Sequence, residues 1–500
     1  MNNTDVRAFW GLLALLALLA CAFQGTRGIW EPDEGRYSSA GLNMHESGDW
    51  LVPTVDGEHP HLTKPPVTYW ALAASFAAFG DNEWAARMPG ALAFIGTGLL
   101  VFGLGRRFCT ARPWLPALVW CLSLAPMMSA NIVSTDVLLV FFETAAVFAF
   151  VEAWSSPPGR GGRWTVLMWL AWGLAFMTKG PPGLLPLAAI TVFLVAHDRS
   201  RLRSLFSPLG LVVFAVVAFS WFAALIQQQP DRWRYFLGYE VYDRVFTAAH
   251  NRHAEWYGAL LVYLPMFVAG LLPWWVLGLL GAGGPGAAWR RLVASVRARR
   301  PHVLLLLYWL LLPTAVFFAA RSRLQLYVLP LFVPLALLTA RGMVDWPWLT
   351  TRRLALVAGA TAVALLAIKG YAAYMPSDRD SRVMAAEIRK LIDPHPIDEI
   401  VFVGMRPFYG LNLYLEPRVE GVQIEEQRFD YSRYVAAEDL CSELQMDENN
   451  VYAIKSKAAA RFTAAVEKCE GLDPTLLGAI NADGNIIFLY LVADRGLRRP

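Results

Sequence analysis

Long apolar runs recur along this chain from its first ten residues to about residue 374. Each is close to the roughly 20 residues that a helix needs to cross a bilayer. They fall at 8–23, 88–105, 113–130, 133–153, 164–178, 181–196, 209–227, 257–281, 303–319, 324–340 and 354–374, which makes eleven expected spans. The short apolar stretch 65–80, and Pro265 and Pro273 inside one long run, widen that to eleven to thirteen. With 56% apolar and 17% charged residues, too few charges remain to coat a water-soluble body of 500 residues. The net charge of +4 is spread as short basic clusters between apolar runs rather than along one polar face, which excludes nucleic acid as a partner.

Those clusters orient the chain. Arg106, Arg107 and Arg112; Arg160 and Arg163; Arg199, Arg201 and Arg203; Arg290, Arg291, Arg297, Arg299 and Arg300; and Arg341, Arg352 and Arg353 occupy alternate loops, which the positive-inside rule assigns to the cytoplasm. The intervening loops then lie outside: 24–87, the junction at Asp136, the turn at Lys179, 228–256 and 321–323. The run 8–23 ends in Leu18-Leu19-Ala20-Cys21, which resembles a lipoprotein signal; a retained signal-anchor helix is the simpler reading, because many spans follow.

The expected division is a transmembrane domain over 1–375, carrying the outer loop 24–87, and an extracytoplasmic domain over 376–500. The tail alternates expected strands (400–404, 451–455, 486–491) with helices (382–391, 458–469), as a small α/β unit does. It has no glycine-rich phosphate loop between strand and helix, so no nucleotide is assigned. Cys441 and Cys469 are the only cysteines in this tail, and either a disulfide or two separate thiols fits an outer location.

Ionisable residues gather in the expected outer loops. Asp33 and Glu34 follow Pro32 where a helix can begin, with Arg36 one turn on; a helix-capping role for Asp33 competes with a functional one. Lys64 precedes Pro65-Pro66, which fix the backbone near the membrane surface. Asp136 follows Ser134-Thr135, Lys179 precedes Gly180-Pro181-Pro182, and Arg321 and Arg323 break the trend of fewer basic residues outside. Each alone can be a snorkelling side chain, but their recurrence on one side of separate spans points to a shared pocket. Cations there suit a bridging lipid phosphate and the charge growing on it as a glycosidic bond breaks. The carboxylates suit sugar hydroxyls or an amino group. An acceptor phosphate, already ionised, needs little base catalysis.

The segments PDEGRY, GDWLVP, KPPVTYW and EWAARMP between Pro32 and Pro89, then STDVLL, TKGPPGLLP, RLQLYVLPLFVPLALL and GMRPFYGLNLYL, together resemble the bacterial lipid A aminoarabinose transferases and their relatives, the protein O-mannosyltransferases. The resemblance implies a GT-C glycosyltransferase fold: a multispan α-helical membrane protein with a small extracytoplasmic α/β C-terminal domain. It implies an inverting transfer of a sugar from undecaprenyl phosphate to lipid A or another lipid-anchored acceptor, at the periplasmic face of the bacterial inner membrane. By motif, Asp33 and Asp136, with Glu34 beside the first, fall on catalytic carboxylates. Lys64, Lys179, Arg36, Arg321 and Arg323 take the donor phosphate, and Tyr37, Tyr69, Arg87 and Tyr327 fall on donor or substrate positions. Two departures stand out. Thr63 replaces the acidic residue that the family often has before the KPP lysine, which bears on any metal site there. Arg321 or Arg323 replaces a lysine before YVLP, keeping charge but changing geometry.

No cofactor is expected, and a divalent metal lacks support: His45, His59, His61, His250 and His253 match no zinc ligand spacing. Glu143, in mid-span, is either a functional acid or a partner for a neighbouring helix. Alternatives are transfer to a Ser or Thr of an exported protein or to another envelope glycan, where Asp33 is the candidate base, and a lipid flippase or transporter, whose ionisable residues belong near the midplane.

Overall fold

The computed structural model describes residues 3–157, 160–230, 236, 253, 255–393, 395–424, 440–445, 449–469 and 472–494. His250 and most of the loop 228–256 lie outside the described residues. The chain forms two compact units. One comprises Met1–Gln24, Thr63–Thr68 and Arg87–Ala372; the other comprises Gly25–Leu62, Tyr69–Ala86 and Ala373–Pro500. Most of the first outer loop, 25–62 and 69–86, therefore groups with the tail, while Thr63–Thr68 groups with the spans, a division that hydropathy did not reveal.

The first unit is helical, and all the expected spans within the described residues fall on helix. Among the described residues, six helices, or seven if one bent pair counts as a single span, are long and apolar enough to cross a membrane. Of the others, Asn3–Cys21 and Gly162–Lys179 are continuous helices of 19 and 18 residues, and the rest are shorter or interrupted. The run 113–130 breaks into Leu115–Cys121 and Leu124–Ser129, each with a proline in its first turns. Gly258–Gly270 and Trp274–Gly281 meet at a 71° bend, and the span at 324–340 starts as a 3-10 helix, Gln325–Leu331, before Phe332–Met343. Helices Thr135–Ser155 and Gly162–Lys179 pack side by side as an antiparallel hairpin. Ser134 caps the first by accepting the Asp136 N–H, and Gly180, at φ 72°, ends the second.

In the second unit the tail builds one five-stranded sheet, ordered β2-β1-β3-β5-β4, from β1 (Glu399–Val403), β2 (Arg418–Val422), β3 (Asn450–Lys455), β4 (Leu472–Ala482) and β5 (Asn485–Asp494). β1 runs parallel to β2 and β3, while β5 is antiparallel to β3 and β4. β1 and β3 are almost wholly buried, as central strands covered on both faces must be. Helix Ser381–Ile392 turns Met384, Ala385, Ile388 and Ile392 inward, and Ala459–Lys468 contributes Phe462 and Val466. The expected strands and helices are present; β2 and β4, the latter holding Pro474, were not foreseen. Cys441 and Cys469 form a disulfide across a separation of 28 residues, with Cα atoms 5.7 Å apart.

Hydrogen bonds explain why the loop 25–62 joins this unit. Trp30 forms an isolated β-bridge with Asp380, whose carboxylate also accepts the Gly28 N–H at 3.0 Å. The Ile29 N–H donates to the Tyr414 hydroxyl at 2.9 Å, which donates in turn to Glu83 at 2.8 Å, and Arg382 pairs with the same carboxylate. At the centre lies Glu31, 4% exposed. Its Oε1 accepts the Gly410 N–H at 2.6 Å and the Ser381 hydroxyl at 3.1 Å. A Cβ on Gly35 would collide with that oxygen and one on Gly410 would stand 2.7 Å from it, so both glycines make room for the carboxyl. Burial outweighs these hydrogen bonds and the nearby Arg36 and Arg406, and pushes the Glu31 carboxyl up to about 8.

These fasteners can be tested by unfolding. Replacing Cys441 or Cys469 by Ser is expected to cost the tail roughly 3 to 4 kcal/mol from loop entropy, read as a lowered unfolding midpoint that the wild type shows only under reductant. For Glu31, the folded state keeps its proton up to about pH 8 while the unfolded chain releases it near 4.5, so the group's contribution to stability falls as pH rises through that window. Thermal unfolding of Glu31→Gln should therefore gain on the wild type as pH is raised across that same interval; parallel pH curves for the two proteins would contradict a buried neutral carboxyl.

Candidate active site

The hairpin brings the strongest constellation together. Asp136 sits in the first turn of helix Thr135–Ser155 and Lys179 is the last residue of helix Gly162–Lys179. Because the helices are antiparallel, the start of one lies beside the end of the other. A carboxylate at a helix amino end and an ammonium at a carboxy end are each favoured by the backbone dipole. Lys179 Nζ donates to Asp136 Oδ1, and both side chains are only 10% exposed. The same ammonium lies 4.3 Å from the centre of the Tyr327 ring. Glu143, two turns along from Asp136 and so on the same helix face, is 2% exposed. The result is a desolvated carboxylate, a desolvated cation and an aromatic face presented in one place.

Lys64 also belongs to the helical unit. Its ammonium donates to the Thr63 carbonyl at 2.8 Å, just before the two prolines that precede helix Val67–Phe79. Arg321 is exposed. Arg323 differs from expectation: 4% exposed, it donates to the carbonyls of His253, Glu255 at 2.8 Å and Phe318 at 3.0 Å. Those carbonyls hold the guanidinium as a loop fastener. Arg87, expected at the substrate, is likewise buried, with Nη1 donating to the Gln24 carbonyl at 2.9 Å while the Gln24 amide returns a 2.9 Å bond to the Arg87 carbonyl.

In the second unit, Asp33 begins helix Asp33–Ser47 and pairs with Arg36 at 2.6 Å, leaving the carboxylate side chain 53% exposed. The Arg36 guanidinium lies 5.4 Å from the Tyr37 ring centre, and the Tyr37 and Tyr69 rings are 6.1 Å apart. Glu34 is a correction. Its two oxygens take a bidentate pair from Arg27 at 2.5 and 2.8 Å, and one also accepts the Trp30 N–H at 3.0 Å. At 4% exposure, with three hydrogen bonds already accepted, it anchors the turn before the helix. Arg27 was missed although its partner Glu34 is only seven residues on, and Glu31 because its partners come from tertiary folding; the pair of glycines at 35 and 410 was the only trace of the Glu31 cradle.

Asp33 and Glu34 each face a guanidinium, an arrangement that does not suit a metal cation. Among the described residues, Glu399, Glu420 and Glu443 in the tail are close enough to share an ion, and burial together with its neighbouring carboxylates pushes Glu420 up to about 9. His59 is paired with Asp56 at 3.2 Å, and His61 stacks edge-on against Tyr69.

Residues 63–224 match the profile of the dolichyl-phosphate-mannose-protein mannosyltransferase family. Over 345 residues the chain is 35% identical to the undecaprenyl phosphate-alpha-4-amino-4-deoxy-L-arabinose arabinosyl transferase of Edwardsiella ictaluri, covering 67% of this chain and 59% of that protein. A second such transferase, from Sodalis glossinidius, is 33% identical over 341 residues, 66% of this chain and 58% of the relative. The chain thus spans less than two thirds of the length of these curated relatives. Among solved structures, ArnT from Cupriavidus metallidurans bound to undecaprenyl phosphate aligns with a TM-score of 0.76 at 18% identity over 98% of both chains. The archaeal oligosaccharyltransferase AglB from Archaeoglobus fulgidus aligns with a TM-score of 0.54 at 13% identity, covering 100% of this chain and 75% of that one. These likenesses show a GT-C fold, and with the apolar helices they make the chain a multi-pass membrane protein. The ordered motifs and these matches together make the chain a relative of the undecaprenyl phosphate-aminoarabinose arabinosyl transferases, with residues 63–224 resembling the protein mannosyltransferases.

Proposed function

We propose that this protein is an inverting glycosyltransferase that moves an amino sugar from undecaprenyl phosphate to a phosphate of lipid A at the periplasmic face of the bacterial inner membrane. The observation that carries it is the buried Asp136–Lys179 pair against Tyr327. In the reaction the bond between the sugar's anomeric carbon and the donor phosphate oxygen breaks. An oxygen of the acceptor phosphate attacks the opposite face, and undecaprenyl phosphate leaves with the electron pair. Lys179, with Lys64 and exposed Arg321, holds the donor phosphate and stabilises its growing charge. Asp136 fixes the Lys179 ammonium in place and steadies the positive character of the sugar. Tyr327 offers the sugar or prenyl phosphate an aromatic surface.

For Asp33 the proposal rests on its motif and on its exposure: of the carboxylates in its helix's first turn, it alone can reach a ligand. Arg36 orients it, and Tyr37 and Tyr69 line the same helix's surroundings. The Cys441–Cys469 disulfide and the alternation of basic loops support the outer location of the tail. The match of residues 63–224 to protein mannosyltransferases supports a second reading, transfer to a Ser or Thr of an exported protein.

Mass spectrometry of lipid A from cells with and without the gene separates the two: the first reading expects an added amino sugar on lipid A, the second an unchanged lipid A and a glycosylated protein. Lys179→Ala and Asp136→Asn are each expected to lower the transfer rate by about 100- to 1,000-fold, the scale of losing a preorganised charge stabiliser. Asp33→Asn and Lys64→Ala should abolish the added mass while the protein still accumulates in the membrane. Glu34→Gln should instead reduce the amount of folded protein, with the remainder turning over near the wild-type rate. Full modification by the Asp33 and Lys64 variants would remove those residues from the site.

A further inference from the structure

Helix Pro285–Arg297 has no buried residue, although it joins two apolar helices, Trp274–Gly281 and Pro301–Ala319. Its connections are only three residues each, so both of its ends are tethered where those helices end. Trp289, Leu292, Val293 and Val296 recur at the spacing of one helix face. Trp289 is 65% and Val296 39% exposed, and Leu292 and Val293 between them are half-buried, so the described chain leaves most of this stripe uncovered. Arg290 and Arg297, seven residues apart, flank one edge of it, Arg291 lies on the opposite face, and Arg299 and Arg300 follow directly. No acidic residue lies between 282 and 300 to neutralise them.

A polar solvent on all sides would leave the apolar stripe uncovered, and a hydrocarbon one would strand five guanidiniums. Only a boundary between the two satisfies both. We propose that this helix lies flat in the membrane interface and binds anionic lipid, with the Trp289 to Val296 stripe among the upper acyl chains and the arginines on lipid phosphates. Charge complementarity selects the occupant, since a neutral lipid would leave the guanidiniums without counter-charges and an apolar protein surface would leave them without partners. The assignment is independent of the reaction catalysed and of which leaflet is involved.

The full-length protein, with Cys21 replaced by Ser, is spin-labelled at Val296→Cys or, on the polar face, at Ala294→Cys. It is then placed in nanodiscs of phosphatidylcholine alone or with one quarter phosphatidylglycerol. Collisions with dissolved oxygen and with a water-soluble nickel chelate report depth. In the anionic discs the label at 296 should favour oxygen and the label at 294 the chelate. Removing phosphatidylglycerol, or adding Arg290→Gln and Arg297→Gln together, should weaken the protection at 296, by roughly fivefold for each guanidinium deprived of its lipid phosphate. Equal water exposure at 294 and 296 would overturn the proposal in favour of a solvated helix. Protection at 296 that is indifferent to lipid charge would overturn it in favour of a protein partner or a second copy. The comparison between the two lipid compositions uses the native arginines, so it stands even if the double variant folds poorly.

Discussion

A carboxylate and an ammonium withdrawn from water at adjacent helix ends are the constraint on which the candidate site rests. Neither Asp136 nor Lys179 is a comfortable buried charge alone; each is the other's counter-charge, and removing one would leave the second stranded at a cost of about 3–5 kcal/mol. The pair forms because two helices run antiparallel through a short connection, and because Ser134 and Gly180 stop those helices where the side chains can meet. Both backbone dipoles then reinforce the signs already present. A pair so placed is held in position before any ligand arrives, which is what stabilising a developing charge requires.

The second unit uses charge for a different purpose. Glu31, Glu83 and Asp380 accept hydrogen bonds that tie distant segments together, Glu34 accepts bonds that close its own turn, and the three glutamates are nearly or largely buried. Asp33, in the same short stretch as Glu31 and Glu34, keeps a side chain that is more than half exposed. Burial and the number of filled acceptor positions thus separate structural carboxylates from one that can meet a substrate. The same distinction sets Arg323, wrapped in carbonyls, apart from exposed Arg321, although the two are two residues apart.

Much of the architecture was legible because hydrocarbon imposes a severe composition on any helix that crosses it. The spans therefore stood out, and prolines marked the run that bends by 71° after Gly270, whereas the break near residue 122 appeared only in the structure. The central strands of the tail were equally clear, being continuous apolar runs. Edge strands were not: β2 alternates charged and small residues, and β4 is largely exposed and contains a proline, so neither carries a strong pattern. The packing of residues 25–62 with the tail was also invisible, because backbone bridges such as Trp30 to Asp380 leave no mark on either segment.

From its residues alone, then, this chain determined that it enters a membrane many times, that its ionisable groups gather at loop positions between spans, and which motifs it shares with its family. Hydrophobicity and local order suffice for those properties, since each is written in contiguous residues. Only the tertiary structure decided which ionisable groups are paired, which are filled by backbone partners and which stay open. Those outcomes depend on distances between segments far apart in the chain, and the energy of a charge is set by what surrounds it in space rather than by its neighbours in sequence.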